Sequence, residues 1–83
     1  MKVTFKLFAS LRDYLPQGSS NYILELDVPE GTTPSDLALQ YQLPSKLVHL
    51  VLVNGHYIAP EKRASTPLVE GDVLAIWPPI AGG

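Results

Sequence analysis

The chain has 83 residues, the length of one domain, and folding at that size buries roughly 60–65% of the extended surface around one modest core. The net charge is −2 and the six Lys and Arg are scattered, which argues against the basic patch of a nucleic-acid partner. Cysteine is absent, which removes disulfides, thiolate nucleophiles and cysteine metal sites together. No apolar run approaches the roughly 20 residues of a membrane span. Met1–Phe5 lacks the uninterrupted apolar core of a signal peptide, so a cytoplasmic location with no membrane partner is expected.

Residues 2–8 alternate polar and apolar, which predicts a strand with Val3, Phe5 and Leu7 on the core face. Residues 9–15 suit one or two helical turns, with Ser10 able to cap. Pro16–Ser20 reads as a loop. A second strand is expected over 21–28, with Tyr22, Leu24, Leu26 and Val28 on one face and Glu25 and Asp27 on the other. Pro29–Thr32 turns the chain. Thr33 then offers a capping oxygen, Pro34 suits the first helical position, and Asp36 favours the positive helix end. The helix should run from about Pro34 to Gln42 and bury Leu37, Ala38 and Tyr41, before Pro44 bars extension.

Residues 47–53 are apolar except at His49 and predict a third strand. Asn54-Gly55 is a strong hairpin signal, with His56–Ile58 returning. Ala59–Thr66 is irregular, and Glu70-Gly71-Asp72 turns into a last strand over 73–77. The pattern predicts an α+β class: a mixed sheet of about five strands with one main helix across one face. One helix cannot cover both faces, yet 47–53 and 73–77 are apolar in both phases, as in strands buried on both sides. A sheet face near the last strand is therefore expected to meet a partner, with Trp77 as its anchor. Cover by a loop or a longer helix is the alternative.

Residues 1–77 then form the body, and 78–83 an extended tail. Pro78 and Pro79 lack backbone donors and stop the sheet, and a double proline favours stiff polyproline II geometry. Beyond them stand Ile80, Ala81, Gly82 and Gly83. Glycine has no Cβ, so a Gly-Gly end can thread a channel closed to larger side chains and leave the Gly83 carbonyl carbon open to attack. The reactive group is then the Gly83 carboxylate, presented to another protein's active site. A frayed terminus without a role is the alternative.

Together these segments resemble the MoaD/ThiS family of ubiquitin-like sulfur carriers. The likeness rests on Leu7–Arg12, Gly31–Leu37, Val53-Asn54-Gly55, Leu68–Val73 and above all Pro78-Pro79-Ile80-Ala81-Gly82-Gly83, which is close to a MoaD terminus. The resemblance implies a β-grasp fold. It also implies that a ubiquitin-activating-type enzyme adenylates Gly83 with ATP, that a persulfide donor protein displaces AMP, and that a thiocarboxylate results. The chain itself would bind no cofactor and serve as a non-catalytic subunit or co-substrate. Gly83 and Gly82 would carry the chemistry, while Trp77, Pro78, Pro79, Ile80 and Ala81 meet partners. The acceptor would be the large subunit of molybdopterin synthase for a MoaD-type chain, or thiazole synthase for a ThiS-type chain. Some relatives join lysines as modifiers. The tail resembles MoaD and the compact stretch Leu43–Val53 resembles ThiS, so these branches stay open.

Other groups fit solvent or packing roles better. His49 and His56 lack a third ligand at metal spacing, whereas zinc takes three or four. Asp27, Glu30, Glu70 and Asp72 sit at a strand end and in turns, where acids face water. Lys62 and Arg63 read as solvated, with contact to an acidic partner as the alternative.

Overall fold

Alternation carries through β1, Lys2–Leu7, in the computed structural model, which describes residues 1–16 and 22–80. Val3, Phe5 and Leu7 are buried there, as their phase requires. β2, Ile23–Asp27, runs antiparallel beside β1 and sets Leu24 opposite Phe5 and Leu26 opposite Val3. It is shorter than the alternation suggests. Asn21 lies outside the described residues, Tyr22 precedes the strand, and Val28 follows it. Val28 is buried, and its N–H donates to Met1 O at 2.8 Å.

The helix α1 spans Pro34–Gln40. Its start is a capping box: Thr33 Oγ1 accepts from the Asp36 N–H, and Asp36 Oδ2 accepts from the Thr33 N–H at 3.0 Å. Two donors that the first turn cannot satisfy internally are thereby paired. Leu37 is fully buried, and the Tyr41 ring packs 5.3 Å from Phe5, which fixes the helix on the Val3–Phe5–Leu7 face. The helix ends at Gln40 rather than Gln42 because Gln42 adopts φ +57°, a left-handed conformation that ends the helical run.

The sheet continues through β3, Leu50–Val53, β4, His56–Tyr57, and β5, Val73–Trp77. Its order is β2-β1-β5-β3-β4; β1 and β5 are parallel and the other pairs antiparallel. This is the expected mixed five-stranded sheet with one main helix. Asn54 and Gly55 make the β3–β4 turn with φ +52° and +83°, the signs a type I′ hairpin requires. Leu11, Val28, Leu37, Leu43, Val51, Leu68, Leu74 and Ile76 complete one core with the β1 residues.

Two local expectations are corrected. Ser10 is not a cap: a 3-10 turn runs from Ala9 to Tyr14, Phe8 precedes it without a side-chain cap, and its contribution to the core is Leu11. The third strand begins at Leu50, not at residue 47, because Ser45–Leu47 form another 3-10 turn. Among the described residues no helix is long and apolar enough to cross a membrane.

Candidate functional site

Parallel pairing of Leu7 with Ile76 brings the next residues, Phe8 and Trp77, side by side. Their rings stack at a centroid distance of 4.2 Å and an interplanar angle of 1°, and Tyr22 packs on Phe8 at 4.8 Å. In the other direction Trp77 pairs with Leu50, which is 36% exposed, and Ala75 pairs with Leu52. By strand phase Leu50, Leu52, Ala75 and Trp77 lie opposite the face that carries Val51, Leu74 and Ile76. Since α1 packs on that core face, the other face presents an aromatic and aliphatic row near the end of β5. The two-phase apolar pattern expects a partner on this face; within the row Ala75 is buried and Leu52 and Trp77 are half-buried.

Sequence reasoning named Trp77 and missed its neighbours. Tyr22 is expected to share a face with Leu24, Leu26 and Val28; it lies ahead of β2 and its ring packs on Phe8. Phe8 had a readable signal, because alternation after Leu7 sends an aromatic to the face that otherwise carries Lys2, Thr4 and Lys6. Leu50 had none until its register against Trp77 was known.

The row stands where the chain leaves the body. The His49 N–H donates to Trp77 O at 3.1 Å, the last link of the ladder. Pro78 then offers no donor, and β5 stops. Pro78 and Pro79 are half-buried, and Ile80 is 83% exposed. Ala81, Gly82 and Gly83, the positions assigned to the tip and its chemistry, lie outside the described residues.

Two residues read as solvated are buried. Arg63 is 8% exposed, and its guanidinium donates to Ile58 O (3.0 Å), Val48 O (3.1 Å) and His49 O (3.0 Å). A turn acid, Asp72, is 7% exposed and accepts from Asn54 Nδ2 and the Val69 N–H, each at 2.8 Å. Both satisfy backbone or turn groups that loop packing removes from water. Glu70 stays exposed and accepts from the Lys2 N–H at 3.0 Å. His49 and His56 are exposed, and no group of His, Cys, Asp and Glu among the described residues is placed to hold a metal ion.

Comparison with known proteins agrees with this architecture. The sequence model of the ThiS family matches residues 5–83. Small archaeal modifier protein 3 of Haloferax volcanii is 28% identical, with all of both chains aligned. The crystal structure of SAMP1 from Haloferax volcanii is also 28% identical, covers all of both chains and superposes with a TM-score of 0.69. A chain in the complex of subunits 1 and 2 of molybdopterin-converting factor from Helicobacter pylori superposes at 0.61 over all of both chains. At 23% identity this last likeness speaks for the fold.

Proposed function

Because the chain belongs to the ThiS family of β-grasp, ubiquitin-like sulfur carriers and small modifiers, we propose that its reactive group is the carboxylate of Gly83 and that a partner enzyme activates it. A carboxylate resists nucleophiles because its own charge repels them. An adenylating enzyme of the ubiquitin-activating type removes that charge: the Gly83 oxygen attacks the α-phosphorus of ATP, and pyrophosphate leaves. A persulfide on a donor protein then attacks the acyl carbon and AMP leaves, giving an acyl disulfide. A second thiol attacks the sulfur of the donor's cysteine, forms a disulfide with it, and releases the –COS⁻ group on Gly83.

The carrier supplies position rather than acid or base. The row of Tyr22, Phe8, Trp77 and Leu50 docks on the enzyme; Pro78 and Pro79 hold the tail off the sheet; Ile80 and Ala81 line the path; and Gly82 and Gly83 enter the channel. The observation that carries this reading is the family match running through Gly83. It joins an aromatic surface at the root of the same tail. The ending Pro78–Gly83, with its likeness to MoaD, supports a molybdopterin synthase large subunit as the sulfur acceptor.

A second reading shares the activation step. Full-length likeness to a small archaeal modifier protein favours transfer of the Gly83 acyl group to a lysine amine, forming an isopeptide. Mass spectrometry of the chain from its native cell separates the two. Sulfur for oxygen adds about 16 Da, the same as a methionine sulfoxide at Met1, so the shift must be localised to Gly83. Thiocarboxylate at Gly83 without Gly-Gly adducts on lysines supports the carrier, and adducts support the modifier. Neither form in cells that hold an activating enzyme would overturn both.

A further inference from the structure

A groove of about 550 Å³ opens beside α1, toward the segment from Leu43 to His49. Small-molecule sites commonly span roughly 300–1,000 Å³. Ala38, Leu39, Leu43 and Val48 give the groove a hydrocarbon wall, and Arg63 and His49 are its basic groups. Among the described residues no Asp or Glu lines it.

Arg63 makes the groove more than an apolar dent. It is more than nine-tenths buried, and among the described residues its three hydrogen bonds all go to backbone carbonyls. A guanidinium carries five N–H donors, so each terminal nitrogen keeps one N–H beyond those bonds. Carbonyl dipoles orient the cation without cancelling its formal charge, and buried charges are most stable when paired. The guanidinium fork also matches the two oxygens of a carboxylate. A bare anion such as inorganic phosphate would leave the hydrocarbon wall in water. An acid with an apolar body satisfies both halves.

We propose that this groove binds an apolar carboxylate, its anion at Arg63 and His49 and its hydrocarbon against Leu39, Leu43 and Val48. The site does not depend on activation at Gly83. The test is an amide NMR titration of the full ¹⁵N-labelled chain with 4-phenylbutyrate, the neutral 4-phenylbutan-1-ol and inorganic phosphate. An N-acetylated Ala-Ala-Phe peptide, as acid and as amide, forms a second arm.

Saturable shifts are expected at Ala38, Leu39, Val48, His49 and Arg63, with the acid binding at least about tenfold tighter than the alcohol, the scale of one charge-assisted contact. Phosphate should leave these amides unmoved. Leu39 is exposed, so Leu39→Glu tests the groove without emptying the core; it should abolish binding, and Leu39→Gln should weaken it severalfold. Shifts from the peptide acid but not its amide would identify a chain end as a source of the same carboxylate. Equal affinity for acid and alcohol, shifts confined to the Trp77 face, or full binding by the Leu39→Glu variant would overturn the proposal.

Discussion

Arg63 shows how much one side chain can organise in a loop-rich region. It ties Ile58, Val48 and His49 together through their carbonyls, so it joins the segment after β4 to the approach to β3. Nothing in the local sequence announces this, because a Lys-Arg pair in a polar stretch is most often solvated. Arg63→Ala removes three donors at once and should cost about 2–4 kcal/mol in urea unfolding, since three partly buried carbonyls lose their partner. Arg63→Lys keeps the charge but cannot span three acceptors, and should recover less than half of the loss. An alanine variant within about 0.5 kcal/mol of wild type would show that water replaces the guanidinium freely.

Tyr41 makes a different residue-scale point. Desolvation beside the core raises its phenol above the ordinary 10.0. Well below pH 10.0 the phenol is protonated in the folded and unfolded chain alike, and its contribution is constant. Above that pH the unfolded chain ionises first, so stability falls until the raised folded pKa is passed. The stability difference between wild type and Tyr41→Phe should therefore be flat well below pH 10.0 and decline above it. Matched urea titrations check this, and a difference that stays flat to about pH 11 would contradict it.

At the scale of elements, the parts legible in the sequence are those in which a few adjacent residues fix the backbone. Thr33-Pro34-Ser35-Asp36 wrote the start of α1, alternation wrote β1, and Asn54-Gly55 wrote the hairpin. Gly55 lies at φ +83°, and a Cβ there would touch nothing within 4 Å. Gly55→Ala should therefore cost about 1–2 kcal/mol in chemical unfolding through backbone conformation rather than through a clash; a neutral result would mean that the turn can change type. The start of β3 was less legible because a strand needs a neighbour. Leu47 and Val48 are apolar enough, but β5 has no residue to pair with them once Pro78 ends it. Trp77 therefore meets Leu50, and its carbonyl takes the His49 N–H as the final rung. The limit of β3 was written far downstream, in Pro78 and Pro79. Asp72 was hidden in the same way: its partner Asn54 stands 18 residues away in a different turn.

Across the whole molecule, core packing and the proposed docking row separate onto opposite faces of one sheet. Val3, Phe5, Leu7, Leu74 and Ile76 hold the fold from the α1 side, while Phe8, Trp77 and Leu50 contribute most where a partner covers them. That division allows the proposed docking role to be tested without unfolding the carrier. Leu50 is already 36% exposed, so Leu50→Lys should cost less than about 1 kcal/mol. A lysine there would bury a charge against the enzyme surface, and truncating or charging an interface centre commonly costs 2 kcal/mol or more, about 30-fold. Thiocarboxylate formation at Gly83 by the activating enzyme should accordingly fall at least about tenfold in kcat/KM at unchanged melting temperature. The exposed Lys62 belongs to the Pro60–Lys62 turn rather than to this row, so Lys62→Ala should leave the rate unchanged and serves as the control. If Leu50→Lys is activated as fast as wild type, the enzyme reads the tail alone and the aromatic row must be assigned to some other contact.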